Sequence, residues 1–305
     1  MSRSKAPKSS PDRDVSVIAE ALDELDTLQR ELLDSRIAQV HELVTSAAYR
    51  YKNDEEALEF LKNAFFDKNR SNVLASLEKA SMCEEFLKVF PNSAEYRKEI
   101  FFGPSEPYSD EASGRIEYIG NNYTDEAFRY FSSKLHASEA LIVSSFNELC
   151  EDVYSGKSEY GILPIENTDN SKLLRFYSLI NLYDLKIVSV CSVKTSDNGR
   201  TDFALVKRSL EYPNPKLDTP DMLEFLVKPV NHASFMKILS AAQLCAIESY
   251  RIDSLPLSAS DEDFTFCFMM KLSEKSRTET FLLYMSVDFP QYTPIGIFKY
   301  NYQGD

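Results

Sequence analysis

The chain has 305 residues, enough for two or three domains, and its 43% hydrophobic and 27% charged side chains describe a globular protein, not a disordered one. Its 34 basic side chains face 48 acidic ones, a net charge of −14, which disfavours nucleic acid because phosphates demand clustered Lys and Arg. No apolar run is long enough to span a membrane, the eight glycines form no phosphate-binding loop, and the histidines (His41, His136, His232) stand alone, so neither cofactor nor metal is expected.

Residues 1–13 read as a Ser/Pro/Lys tail without the apolar stretch of a secretory signal. The cysteines Cys83, Cys150, Cys191, Cys245 and Cys267 are odd in number and widely spaced, which predicts reduced core residues of a cytoplasmic protein. Over 15–51, Ile18, Leu22, Leu25, Leu28, Leu32, Ile37, Val40 and Val44 recur at helical spacing with no Gly or Pro between them, and Asp14 is placed to be the N-cap. Further helices are predicted over 54–66 and 71–90, and Pro91 stops the pattern. Gly103, Pro104, Pro107 and Gly114 among acidic residues mark a linker.

The pattern then changes period. Strand-like runs at 116–119, 140–143, 160–163, 185–190 and 203–206 are interleaved with helical stretches at 125–135, 146–154 and 172–182, which predicts an α/β layer with parallel crossovers. After a Pro-rich passage at 212–220, the order is strand 222–228, helix 233–242, strands 246–253 and 264–272, helix about 274–287 and strand 295–300. That is βαββαβ, the ferredoxin-like order. The expected organisation is therefore a multidomain chain: tail 1–13, all-helical domain 14–96, linker 97–115, α/β lobe 116–208 and α+β domain 221–303.

Several runs carry a resemblance. Leu163-Pro164-Ile165-Glu166-Asn167-Thr168 resembles the L-P-I-E-N-[ST] strand-to-loop signature of prephenate dehydratases, and Ile116 to Thr124 resembles that family's first strand and glycine turn, at Gly120. The turn Gly103-Pro104-Ser105 is a competing match for the same element. Thr201-Asp202-Phe203 resembles the family's T-R-F triplet, and Arg251 to Pro256 sits where its ACT regulatory domains carry E-S-R-P. Leu22-Asp23, Leu25-Asp26, Leu32-Leu33 and Arg36 keep the spacing of a helical chorismate mutase signature. Mutase, dehydratase and ACT domain in this order resemble the bifunctional P-proteins, which convert chorismate through prephenate to phenylpyruvate.

The resemblance implies catalytic roles for Thr201, Asn167, Thr168 and Arg36, and ligand-binding roles for His232, Ser234, Asp253 and Ser254 in the ACT-like unit. The plainer readings are a β-branched residue opening a strand for Thr201, a turn and helix cap for Asn167 and Thr168, a solvated helix residue for Arg36 and a loop or cap histidine for His232.

Departures weigh on the chemistry. Val190 and Thr201 are only 11 positions apart, leaving no room for the second dehydratase subdomain, so one wall of the cleft is expected to be missing. The T-R-F arginine is Asp202, an anion where a dicarboxylate should bind. Two functions stay open: a P-protein relative with impaired or lost catalysis and a regulatory or binding role, and an active chorismate mutase/prephenate dehydratase. The expected partners are an aromatic amino acid, prephenate or chorismate and a second copy of the chain, with no nucleic acid and no membrane.

Overall fold

The computed structural model describes residues 11–51, 53–65, 73–90, 112–135, 139–168, 171–196, 199–210, 212, 218–228, 232–256, 265–289 and 291–301. Residues 97–111 of the expected linker, with the Gly103-Pro104 turn, lie outside them.

Among the described residues, three helices come first: α1 (Pro11–Arg50), α2 (Asp54–Phe65) and α3 (Val73–Val89). Asp14 lies inside α1 and is not its N-cap. Asn53 caps α2, its Oδ1 accepting the Glu55 N–H at 2.9 Å. Val40, Val44 and Ala47 of α1, Leu58 and Leu61 of α2, and Ala80, Met82, Cys83 and Phe86 of α3 are buried in one cluster.

Beyond residue 112 the elements alternate: β1 (Arg115–Tyr118), α4 (Asn122–Leu135), β2 (Glu139–Ile142), α5 (Phe146–Ser155), β3 (Tyr160–Glu166), α6 (Leu174–Leu182), β4 (Lys186–Lys194) and β5 (Arg200–Lys207). There follow β6 (Met222–Val227), α7 (His232–Leu244), β7 (Glu248–Leu255), β8 (Thr265–Lys271), α8 (Thr278–Asp288) and β9 (Thr293–Asn301). β3 runs on to Glu166 past Pro164 because the β3–β5 register shifts between those two residues, so the ladder accommodates a residue with no N–H.

The nine strands among the described residues form one sheet in the order β2-β1-β3-β5-β4-β9-β6-β8-β7. Its last four strands have the ferredoxin-like arrangement. The sheet crosses the expected boundary between residues 208 and 221 unbroken, because β4 pairs parallel with β9. β4 also pairs antiparallel with β5, and beyond the ladder the Thr195 N–H bonds to the Gly199 carbonyl at 2.9 Å.

The two faces of β6 and β8 have different partners. Leu223, Phe225, Val227, Phe268 and Met270 join α7, α8 and the three N-terminal helices in one core. Met222, Leu226, Cys267 and Met269, alternate along the same strands, pack with Ile165, Tyr177 and Ile180 of the α/β part. α4 closes a third cluster over Ile116, Tyr160, Val188 and Phe203.

The β4–β9 seam depends on a glycine. A Cβ on Gly296 would stand 2.3 Å from the Ile187 carbonyl oxygen, a backbone atom that cannot move aside unless the strands separate. Gly296→Ala is therefore expected to destabilise the protein by about 1–3 kcal/mol or more, as overpacking does. The check is the free energy of urea unfolding; an unchanged midpoint would show that the seam has slack.

Candidate functional site

The strand ends β3, β5, β9, β6, β8 and β7 meet around one cleft of about 300 Å³. It starts from Glu166, the last residue of β3, which is buried. The chain then turns sharply: Asn167 N–H bonds to the Ser171 carbonyl at 3.1 Å and Leu173 N–H returns to Ile165 at 2.8 Å, which brings Lys172 beside Glu166. Thr168 ties this loop to β5, its hydroxyl accepting the Arg200 N–H at 2.9 Å and donating to the Arg200 carbonyl at 3.1 Å. α6 begins only at Leu174 and has no side-chain cap, so Asn167 and Thr168 do not cap it.

A buried set of charges sits behind the loop. Lys172 Nζ lies 3.3 Å from Glu166 Oε1, donates to the Tyr177 hydroxyl at 2.5 Å and pairs with Glu224 of β6. Tyr177 and Cys267 also donate to Glu224 Oε1, at 3.0 and 2.9 Å. Arg251 of β7 presents its fork to Glu166, Nη1 at 3.3 Å from Oε2 and Nη2 bonded to Oε1, while its Nε donates to Asp253 at 2.7 Å. Burial opposes the Lys172 ammonium, but the carboxylates of Glu224 and Glu166 outweigh it and hold its pKa above the usual lysine value. Arg251 follows the same logic: burial is overcome by the hydrogen bonds and charge of Glu166, so its guanidinium stays charged.

The cleft opens beside this set. Glu166, Arg200 and Tyr300 form one side; Tyr250, Arg251, Met269, Lys271 and Leu272 of the ferredoxin-like strands face them, with Asp221 and Met222 at the start of β6. Lys271 Nζ lies 4.7 Å above the Tyr250 ring. Asp221 is engaged by the Tyr300 N–H at 2.9 Å and Lys299 at 2.7 Å. The ferredoxin-like strands thus form one wall of the cleft and bring cations to it.

Asp202 lies next to the cleft but is fully buried. It accepts from Ser192 Oγ at 2.5 Å across the β4–β5 ladder and from the Tyr300 hydroxyl on β9, and Arg200 Nη2 lies 3.6 Å away. Both of its oxygens are occupied by protein donors.

The residues singled out in the sequence divide into three groups. Asn167, Thr168 and Thr201 gather at the β3–β5 corner, but the cleft is lined there by Glu166 and Arg200 and not by the two threonines. Asp253 reaches the same corner through Arg251. Arg36 is elsewhere: it binds Glu78 and fastens α1 to α3. His232 opens α7 and Ser234 is buried in it, and that helix packs on the face of β6 and β8 opposite the cleft; Ser254 is an exposed residue of β7. Arg251, Lys172, Glu224 and Lys271 carried no assignment. Glu224 could have been found as a lone acid in the otherwise apolar run of β6, which demands a buried cation. All five cysteines are buried and unpaired, and burial pushes Cys150 and Cys245 up to about 12, so neither is a thiolate nucleophile.

The family model for prephenate dehydratase matches residues 116–200, ending one residue before Thr201. The bifunctional chorismate mutase/prephenate dehydratase of Escherichia coli (strain K12) is 25% identical over 142 residues, 45% of this chain and 32% of that protein. The enzyme of the same description from Enterobacter agglomerans is 27% identical over 119 residues, 38% of this chain and 27% of its own. The matched part thus spans about a third of these relatives. Among solved structures, prephenate dehydratase from Streptococcus mutans superposes with a TM-score of 0.50 at 19% identity, over 61% of this chain and 98% of that one. The chain is a distant and partial relative of the bifunctional chorismate mutase/prephenate dehydratases, with a dehydratase-like α/β fold over part of its length and a helical region before it.

Removing the shared cation tests the buried charges. Lys172→Met is expected to lower the unfolding free energy by roughly 3–5 kcal/mol, because Glu224 is left buried without its counter-ion. Lys172→Met with Glu224→Leu should recover most of that loss. Urea denaturation of the three proteins gives the comparison, and equal stability of the single and double variants would refute the pairing as the cause.

Proposed function

We propose that this chain is a catalytically silent relative of the P-proteins that binds a small aromatic carboxylate (an aromatic amino acid, prephenate or chorismate) and serves phenylalanine biosynthesis as a cytoplasmic regulatory or binding protein. The observation that carries this reading is Asp202. The resemblance places a cation at this position of the T-R-F triplet; here an acid is buried and held by Ser192 and Tyr300. The two threonines to which the resemblance assigns catalysis do not line the cleft, whereas Arg200, Arg251 and Lys271 do. A site with cations around an apolar floor of Met222, Met269 and Leu272 suits holding a carboxylate more than protonating a leaving hydroxyl. The ferredoxin-like unit is read as an ACT-like domain, with the domain limits given above.

The purified protein is expected to show no conversion of prephenate or chorismate above the uncatalysed rate, and to give a saturable calorimetric signal with at least one of phenylalanine, phenylpyruvate and prephenate. The cations supplied by β7 and β8 support the second reading, a surviving dehydratase, because they line a cleft that ends at the β3–β5 corner, where Thr201 follows Arg200. Phenylpyruvate formation from prephenate that is lost in Thr201→Val would establish that reading and end the first.

The expected homodimer has a surface to form on. Residues 17–32 of α1 are all exposed, and Ile18, Leu22, Leu25, Leu28 and Leu32 are each at least half exposed. Their spacings of four, three, three and four read the same in both directions about Leu25, so a two-fold axis there lays the stripe on itself. A projecting helix of this length is marginal without a packed apolar face. Glu24, Asp26 and Glu31 flank the stripe and repel across such a contact, so the dimer should tighten as salt rises. Sedimentation equilibrium at low and high salt checks this, with Leu25→Glu expected to give a folded monomer; a monomer at both salts would exclude the contact.

A further inference from the structure

The cation best shaped to receive a carboxylate in the cleft already holds one. Arg251 turns its guanidinium fork to Glu166, a residue of the same chain 85 positions away, and both line the cleft. A guanidinium fork matches one carboxylate at a time in this two-pronged geometry. Glu166 is not held by Arg251 alone, since Lys172 lies 3.3 Å from the same carboxylate and is itself buried. If Arg251 is taken from Glu166, that acid keeps a counter-ion. Asp253 likewise stays on Arg251 Nε, away from the fork.

We propose that Glu166 is an internal competitor for the ligand: a small aromatic monocarboxylate binds by replacing Glu166 on the Arg251 fork, with Lys271 as the second cation and its ring against Tyr250 and Met269. The exchange breaks one charge-assisted pair and forms another of the same kind, and Glu166 falls back on Lys172. The same event undoes the tie between β3 and β7, so occupancy of the cleft is coupled to the contact between the dehydratase-like strands and the ferredoxin-like sheet. This rests on the reading of the cleft as a carboxylate site and adds the ligand's charge class and the device that limits its affinity.

The test uses the full chain, calorimetry, and 3-phenylpropionate as the probe, with 3-phenylpropionamide as its neutral counterpart. Glu166→Gln removes the competing charge while leaving Lys172 paired with Glu224, and should bind 3-phenylpropionate about tenfold tighter than the unaltered chain, the low end for close charge pairs across an interface. Arg251→Gln should lose the binding. Arg251→Lys, which keeps the charge without the fork, should be weaker than the unaltered chain and indifferent to a second Glu166→Gln change. The amide should bind none of them measurably. Thermal melts establish that each variant is folded, and Arg251→Lys serves where Arg251→Gln is not. Binding by the unaltered chain that is equal or weaker in Glu166→Gln overturns the competition and leaves the carboxylate site standing. Absence of binding in both folded proteins overturns the site and the competition together, and equal binding of amide and acid overturns the charge class.

Discussion

Two carboxylates from different parts of the chain, Glu166 at the end of β3 and Glu224 in the middle of β6, are buried within reach of one ammonium, that of Lys172. Burying an isolated ion costs several kcal/mol even after relaxation, so the two acids can be interior only where cations come with them. That requirement sets the local structure. Lys172 must fold back from the 167–171 turn, and Arg251 must come across from β7. Tyr177 and Cys267 supply the neutral donors that Glu224 still needs. The cleft is the space left beside the charges once these demands are met, which is why its walls belong to both parts of the sheet.

The continuous sheet explains how the β4–β5 pair is left with no open edge. A β4–β5 hairpin with nothing inserted would leave β4 an open edge, with unpaired N–H and C=O groups that invite aggregation. β9 covers that edge, and Gly296 permits the approach. Asp202 belongs to the same solution. With Ser192 on β4 and Tyr300 on β9 donating to it, the acid binds three adjacent strands from within, and a position that the resemblance gives to ligand attraction has become part of the seam.

Local periodicity made nearly every element legible: the long helix from its leucines, the α/β alternation from the change of period, the ferredoxin-like unit from its order of strands and helices. The β4–β9 pairing was hidden because it joins residues more than a hundred positions apart, and no local pattern encodes which free edge will meet which. The site was legible by parts. Asn167, Thr168 and Thr201 were placed at one corner through a motif, yet the residues that line the cleft there, Glu166 and Arg200, are their neighbours in sequence. Arg251 stood in a quoted run without an assigned role, because its partner lies in another part of the chain. Arg36 matches a catalytic position in spacing, and its guanidinium is paired with Glu78 of α3, a partner no local pattern shows.

A carboxylate receptor that is already filled by the protein's own acid has a consequence for the kind of function it can serve. Catalysis gains from groups held ready for the charge that develops in the transition state, and every competing internal pair subtracts from that stabilisation. Binding for control has a different need. Its affinity should place half-occupancy within the range over which the ligand varies, and an internal competitor lowers affinity without removing the shape or charge that gives selectivity. In the proposed exchange, Glu166 on Arg251, backed by Lys172, would weaken the grip in this way while the apolar floor and the Lys271–Tyr250 pair remain to select the ligand. On the proposed reading, the atoms that would disfavour a dehydratase site are the ones that suit the cleft to sensing.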